Sequence, residues 1–192
     1  MIDLRPIGEY LERHIQGSIP LLFELGPGLG GRARDLLPLD ARLILLEDGS
    51  SSLEYAAASF RGKGFDVAGY VPNAIDSLEA KKMAASKVSN IGEWDEVSGG
   101  RASILLDVKD PGTTAISPRH LSIPVERLWV RAPEIDPRVR TGVVAGWGVR
   151  AAAAIGILEH LGFQDLVYVR TRAETARPPQ AGSEVFRVGG PA

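Results

Sequence analysis

The sequence predicts an α/β protein built from two similar halves, each a mostly parallel sheet flanked by helices. Apolar strand-like runs alternate with segments of helical spacing along the chain. The two halves align without a gap at an offset of 98 residues, so that Phe65 matches Phe163 and Tyr70 matches Tyr168. With 192 residues, 44% of them hydrophobic and 24% charged, the chain has the length and composition of one medium globular domain or two small ones.

The sequence of the first half predicts three strands and three helices. The run at 42–46 is apolar and bounded by acidic residues, which is typical of a buried strand in a parallel sheet. The segment at 52–63 has an apolar residue every three or four positions from Leu53 to Phe60, which is the spacing of one helix face. The other predicted elements are strands at 1–4 and 65–71, a short helix at 7–13 and an exposed helix at 76–85.

The second half repeats this order. A helix with small apolar residues is predicted over 150–160, and Gly162 ends it. The Pro- and Gly-rich tail at 177–192 is expected to be irregular. The predicted strands are 102–108, 142–145 and 166–169, with a short one at 185–188 in the tail.

Charge and hydropathy exclude several classes of function. The chain carries 22 Lys and Arg against 24 Asp and Glu, a net charge of −2. Proteins that bind nucleic acid or anionic membranes usually carry a basic excess, so neither partner is expected. No apolar run approaches the ~20 residues of a membrane span, and no signal peptide is visible, so a cytoplasmic location is expected.

The chain has no cysteine. Disulfides, thiolate metal sites, iron–sulfur clusters and cysteine catalysis are therefore impossible for this polypeptide. The three histidines, His14, His120 and His160, are far apart in sequence. No metal site and no cofactor are predicted.

The first twenty residues carry a specific motif. The segment "IDLRPIGEYLERHIQGSIP" resembles the opening motif of the rhodanese superfamily. A looser second copy begins at Asp107 and Lys109 and includes His120 and Pro124, and "TGVVAGWGVRAAAAIGILEHLGFQDLVYVR" resembles the family's active-site strand, loop and helix. The resemblance covers roughly 1–71 and 88–172. The motif residues are Asp3, Arg5, Glu9, Tyr10, His14, Ile15, Gly17 and Ser18.

This alignment also predicts structural roles. It places His14 and His120 at matching positions, where both are expected to hydrogen-bond to loop backbone. Asp3 and Asp107 are expected to brace the backbone at the ends of their strands.

The resemblance locates the active-site loops. In active relatives the loop after the central strand begins with a nucleophilic cysteine, and its backbone N–H groups hold an anionic sulfur species at a helix N-terminus. The cysteine position is Glu47 in the first half and Ala145 in the second. Neither residue can carry a persulfide, so sulfur transfer is not expected. The acidic residue in the first half and the absence of cysteine elsewhere favour natural loss over an engineered replacement at Ala145.

The second loop is expected to keep residual anion binding. It contains no acidic residue, its glycines leave backbone N–H groups uncovered, and Arg150 adds a positive charge. Sulfate, phosphate or a carboxylate is therefore expected there and not at 47–52, unless Trp147 folds inward and fills the site. The predicted anion-binding residues are Gly146, Trp147, Gly148, Val149 and Arg150.

The resemblance also divides the chain. Related domains have a strand and a helix ahead of the Asp-x-Arg strand, and the first half begins directly on that strand. Either the chain is truncated at its N-terminus, or the first domain is a reduced version that another segment completes. The second half has room for both elements, and "VSNIGEWDEVSGG" resembles the leading helix. The predicted parts are a reduced domain at 1–80, a linker with the leading strand and helix at 81–97, a second domain at 98–176 and the tail at 177–192.

The predicted function is that of an inactive tandem rhodanese-like protein, a binding or regulatory module in sulfur metabolism with an unidentified protein partner. One alternative is an accessory partner of an active sulfurtransferase or sulfur-carrier enzyme. Another is an S-adenosylmethionine-dependent methyltransferase, because a glycine-rich segment resembles that family's first motif and Glu47 follows where a ribose ligand is expected. The residues of that segment are Glu24, Gly26, Pro27, Gly28 and Gly30.

Overall fold

A computed structural model describes residues 1–21, 28–47, 53–80, 86–87, 89–93, 103–109, 120–145 and 148–170. Its strands form two parallel sheets and one two-stranded antiparallel ribbon. Helices cover the sheets, so the predicted α/β class with parallel sheets is confirmed.

The first sheet has four strands in the order β3-β1-β4-β5, all parallel. Strand β4 lies inside this sheet, as the sequence predicts for the run at 42–46. The elements are β1 (Ile2–Asp3), α1 (Ile7–Glu12), β2 (His14–Ile15), β3 (Ile19–Pro20), α2 (Leu29–Leu36), β4 (Arg42–Glu47), α3 (Leu53–Arg61), β5 (Asp66–Pro72) and α4 (Ala74–Ala80).

The second sheet has five strands in the order β7-β11-β10-β8-β9, also all parallel. Strand β10 is at its centre, as predicted. Strand β6 (Ser86–Lys87) pairs with β2 in the ribbon. The elements that follow are β7 (Asn90–Glu93), β8 (Ser103–Asp107), β9 (His120–Ser122), α5 (Leu128–Arg131), β10 (Arg140–Val144), α6 (Gly148–His160) and β11 (Leu166–Arg170). Two 3-10 turns, Val125–Arg127 and Ala132–Glu134, flank α5.

The two sheets repeat each other. The order β3-β1-β4-β5 corresponds to β9-β8-β10-β11, and Asp3 lies opposite Leu46 as Asp107 lies opposite Val144. Strands β4 and β5 contain a bulge between Leu43 and Ile44. Beyond the bulge, the pairing of Leu45 with Tyr70 matches that of Val143 with Tyr168, so the offset of 98 residues holds in three dimensions.

Two helices begin earlier than predicted, and one predicted helical segment contains a strand. Helix α4 begins at Ala74 rather than at residue 76, because the carbonyl of Asn73 already accepts the N–H of Ser77. Helix α6 begins at Gly148 rather than at residue 150. Residues 90–93 form strand β7 instead of belonging to a leading helix, because they pair with β11. Residues 81–85, 94–97 and the tail with its predicted strand lie outside the described residues.

One hydrophobic core joins the two halves. It contains side chains from β1, β3 and β4 together with side chains from β8, β10 and α6. Helix α6 lies at its centre, and every residue from Ala151 to Glu159 is buried. A Cβ at Gly156 would collide with the carbonyl oxygen of Ser18 and lie 3.0 Å from the Cα of Ile19, so glycine allows α6 to pack closely on β3.

Candidate functional site

The carboxyl ends of the central strands carry the predicted site positions. Glu47 is the last residue of β4, and Ala145 directly follows β10. Both are buried, with exposed fractions of 4% and 1%. Ligands of open parallel sheets bind at this edge. The structure therefore places Glu47 and Ala145 at equivalent points of the two sheets.

An aspartate braces each of these edges, as predicted. Asp3 is fully buried, and its Oδ1 accepts hydrogen bonds from the backbone N–H of Arg5 at 3.1 Å and from the Arg5 Nε at 3.0 Å. The Arg5 Nη2 donates to Asp3 Oδ2 at 2.7 Å and to the carbonyl of Arg13 at 2.8 Å. In the second half, Asp107 Oδ1 accepts the N–H of Lys109 at 3.1 Å. In both halves, the aspartate thus accepts the backbone N–H of the residue two positions later.

A cavity of about 230 Å³ lies at the carboxyl edge of the first sheet. Its wall contains the buried carboxylate of Glu47 as well as arginine side chains, so charges of both signs face it. Arg13 Nη1 lies 3.5 Å from Asp76 Oδ1 across an exposed part of this wall. Residues 48–52 of the predicted loop lie outside the described residues. The described lining residues are Arg5, Arg13, Glu47, Asn73, Ala74, Ile75 and Asp76.

In the second half, Arg150 is held by neighbouring groups. Its Nε donates to the carbonyl of Val108 at 3.1 Å, and its Nη2 lies 2.7 and 2.8 Å from the two carboxylate oxygens of Glu126. The guanidinium charge is therefore compensated from within the chain. Gly148 and Val149 form the first residues of α6 with it. Gly146 and Trp147 lie outside the described residues, and their part in anion binding stays a prediction.

A buried polar cluster, which sequence reasoning missed, connects the two halves. His14 is fully buried, and its Nε2 lies 3.1 Å from Glu159 Oε2. The same carboxylate accepts the backbone N–H of Gly17 at 3.1 Å, and its Oε1 lies 2.9 Å from Lys87 Nζ. Burial by itself raises the pKa of Glu159, but the hydrogen bonds from His14, Gly17 and Lys87 outweigh it and leave that pKa below its ordinary value of 4.5.

The hydrogen-bond partners of His14 orient its ring. Its Nδ1 is 2.8 Å from the carbonyl of Tyr10, which can only accept, so Nδ1 carries a hydrogen. Its Nε2 faces Glu159, a carboxylate that also contacts the backbone N–H of Gly17 and the Nζ of Lys87. Both ring nitrogens of His14 therefore lie within hydrogen-bond distance of an oxygen atom. The ring stacks on Tyr10 with centroids 4.1 Å apart.

His120 does not occupy the position of His14, so that part of the predicted alignment is wrong. Pro20 lies opposite Asp3, whereas Ser122 lies opposite Asp107. His120 therefore corresponds to Ser18. It lies at the start of β9 and is only partly buried. The number of residues between the aspartate and its partner in the next strand is smaller by two in the second half. A sequence comparison that allows a gap after "DLR" and "DVK" could have revealed this difference.

The described residues of the glycine-rich segment have packing roles. The N–H of Gly30 donates to Ser59 Oγ at 3.1 Å, and a Cβ there would collide with the Ser59 carbonyl, so Gly30 allows α2 to pack on α3. Gly28 caps α2. Strand β1 also separates β3, which leads towards the segment, from β4, which ends at Glu47. A dinucleotide-type site needs these two strands to be adjacent. Glu24, Gly26 and Pro27 lie outside the described residues.

No protein-family model matches the chain, and no curated protein matches it. The solved structures that are similar to it include the following two. A NAD-dependent persulfide reductase from A. fulgidus is 18% identical with a TM-score of 0.37, over 61% of this chain and 24% of that one. A thiosulfate sulfurtransferase from Pseudomonas aeruginosa is 17% identical with a TM-score of 0.39, over 88% of this chain and 36% of that one. The chain thus spans about a quarter and about a third of their lengths. In the part of the chain that the structure describes, no helix is long and apolar enough to cross a membrane.

Proposed function

We propose that this chain is a rhodanese-like protein with two related domains that has lost sulfur transfer and acts by binding. One observation carries the proposal. Glu47 and Ala145 stand at equivalent carboxyl ends of β4 and β10, where active relatives have their cysteine, in a chain without any cysteine.

The chemistry of persulfide formation supports the loss of activity. A thiolate attacks the outer sulfur of thiosulfate, the S–S bond of the donor breaks with sulfite as the leaving group, and the cysteine carries the outer sulfur as a persulfide. Alanine at 145 has no nucleophilic atom. A carboxylate at 47 cannot form a persulfide and repels an anionic donor such as thiosulfate.

The two sheets differ in strand number among the described residues. Strand β7 pairs with β11 in the second sheet and belongs to the segment ahead of the aspartate-bearing strand. Among the residues that the structure describes, the first sheet has no counterpart of β7.

For the ligand we favour a small oxyanion or carboxylate at 145–150. Helix α6 is thirteen residues long and has no acidic residue in its first turn. Unpaired N–H groups at such a helix start attract anions. Glu126 competes for Arg150, so binding there is expected to be weak.

The first test is enzymatic. The purified chain should transfer no sulfur from thiosulfate to cyanide above the rate of a buffer control. Turnover that survives repurification and follows the protein through two further columns would overturn the proposal.

A second test uses Ala145→Cys, which introduces a single thiol into the chain. If a cradle for anions remains at the start of α6, the pKa of this thiol should lie below ~8.5, because helix N-termini favour the thiolate. The alkylation rate measured against pH gives this pKa. Ala58→Cys, on the exposed side of α3, serves as the matched control with an ordinary thiol. A pKa at 145 equal to or above that of the control would show that no cradle remains.

A further inference from the structure

The cavity at the carboxyl edge of the first sheet offers charged groups of both signs to a small ligand. Its volume of about 230 Å³ is below the ~300–1,000 Å³ of pockets that hold drug-sized molecules, so a smaller molecule fits it. Strand β4 brings Glu47 to the wall, the residue after α1 brings Arg13, and α4 brings Asp76. A ligand of this cavity therefore has to match acidic and basic groups together.

Glu47 is the sheltered charge of this wall. It lines the cavity although only 4% of it is exposed to solvent. A carboxylate has about four lone-pair positions, so it can accept a further donor beside the partners that the fold supplies. A charge-assisted hydrogen bond is stronger where little water competes with it. An ammonium group, which carries three donors, is the ligand group that suits this position.

The two arginines of the wall differ in how firmly the fold holds them. Arg5 is buried, and its Nε and Nη2 donate to the carboxylate of Asp3. The side chain of Arg13 is 45% exposed, and its Nη1 lies 3.5 Å from Asp76 Oδ1, on a side chain that is 86% exposed. Exposed pairs of this kind contribute little to stability, and a guanidinium has five donors. Arg13 can therefore bind a ligand carboxylate beside Asp76 or in its place.

The turn into α4 fixes another part of the wall. Asn73 has a φ of 46°, and no other non-glycine residue in the described ranges has a positive φ. Such left-handed conformations recur at binding and catalytic sites. The next two residues, Ala74 and Ile75, pack in one apolar cluster with Leu46, the neighbour of Glu47 in β4. The turn is thus anchored to the strand that carries Glu47, and a wall that is already in place lowers the entropic cost of binding.

We propose that this cavity binds a small amino acid in its zwitterionic form, with the ammonium group on Glu47 and the carboxylate on Arg13. This inference specifies a ligand for the binding role in the proposed function and rests on that role. A simple anion in the cavity would be repelled by Glu47, and a simple cation by Arg13. A zwitterion is attracted by both residues.

The experiment titrates the full chain with L-alanine and with two molecules that each lack one of its charged groups. Propionate lacks the ammonium group, and ethylamine lacks the carboxylate. Binding is followed by NMR through the backbone amides of 73–76. L-alanine is expected to shift these amides to saturation, and each of the other molecules is expected to bind at least about tenfold more weakly. The amides of 145–150, followed in the same spectra, report any carboxylate that binds in the second half.

Three variants test the assigned groups. Glu47→Gln keeps the shape and removes the charge, and it should weaken the binding of L-alanine at least about tenfold. Asp76→Asn should instead strengthen it about twofold to fivefold, because the competitor for Arg13 loses its charge. Glu134→Gln removes a surface carboxylate of the second half and should leave the binding unchanged. Circular dichroism verifies folding, and the exposed position of Asp76 keeps the proposal testable if the buried Glu47→Gln variant does not fold.

Several outcomes would overturn the proposal. One is the absence of shifts at 73–76 with L-alanine at tens of millimolar. Others are equal affinities for L-alanine and propionate, which show that the cavity binds only an anion, and equal affinities for L-alanine and ethylamine, which show that it binds only a cation. The sulfur-transfer assay is independent of these results, so a failed titration leaves the proposed loss of catalysis intact.

Discussion

At the scale of single residues, the proposed anion site of the second half depends on the charge of Arg150. Its side chain is about one quarter exposed, and Glu126 contacts it with both carboxylate oxygens. An anion at the start of α6 must displace this carboxylate or share the guanidinium with it. A partly exposed ion pair contributes only about 1 kcal/mol, so the competition is modest.

Glu126→Gln should therefore strengthen sulfate binding. The substitution keeps the shape and removes the competing charge, and we expect the dissociation constant to fall about threefold to tenfold. Titration with sulfate, followed through the backbone amides of 145–150 by NMR, measures it.

Arg150→Gln is the matched control and should abolish the binding. Equal dissociation constants for the parent chain and Glu126→Gln would show that Arg150 does not contribute to an anion site.

At the scale of elements, the contact of α6 with β3 holds the two halves together. Its alanines and Gly156 bring the helix backbone close to Ser18 and Ile19. Interiors are close-packed, so even one added methyl group must displace its neighbours.

Gly156→Ala is expected to destabilise the protein by about 1–3 kcal/mol, because the collision with the Ser18 carbonyl outweighs the better helix propensity of alanine. Gly31→Ala is the matched control. Gly31 lies inside α2, and a Cβ there meets no atom within 4 Å, so this change should stabilise by about 0.5–1 kcal/mol. Urea unfolding measures both. Two effects of the same sign would contradict the packing described.

At the scale of the whole molecule, the cluster of His14, Lys87 and Glu159 ties the first half and the β6 segment to α6. The carboxylate of Glu159 receives a hydrogen bond from each of these parts of the chain. Breaking a buried pair leaves an uncompensated charge, which typically costs about 3–5 kcal/mol.

Glu159→Gln should lower the free energy of unfolding by about this amount at pH 7. The folded-state pKa of Glu159 lies below its ordinary value of 4.5. Its ionised form therefore stabilises the fold fully above about pH 4.5, and this stabilisation is lost as the pH falls through the folded-state pKa. The difference between parent and variant should accordingly shrink in acid. Urea unfolding at pH 7, 4.5 and 3.5 provides the measurement.

Glu134→Gln is the control for this prediction. Glu134 also pairs with a cation, Arg131 at 2.6 Å, but on the surface. Its removal should change stability little at any pH. A difference between Glu159→Gln and the parent that stays constant down to pH 3.5 would refute the lowered pKa of Glu159.

Features that depend on neighbouring residues were accessible from the sequence alone. Strands β4, β5, β8, β10 and β11 and helices α1, α3 and α6 were predicted within a few residues, because apolar spacing reports which face of each element is buried. The offset of 98 residues placed Glu47 and Ala145 at equivalent strand ends. The absence of cysteine excluded persulfide chemistry at any conformation of the chain.

Tertiary structure decided the rest, since partners distant in sequence leave no periodic signal. His14 and Glu159 are 145 positions apart, and nothing local indicates that one will be buried against the other. Arg150 was predicted as an anion ligand, yet Glu126 reaches it only through the fold. Residues 90–93 became a strand because β11 offered an edge to pair with, whereas the matching edge of β5 remained unpaired by any described strand. Local sequence sets which elements form, and packing sets which of their charges and edges meet.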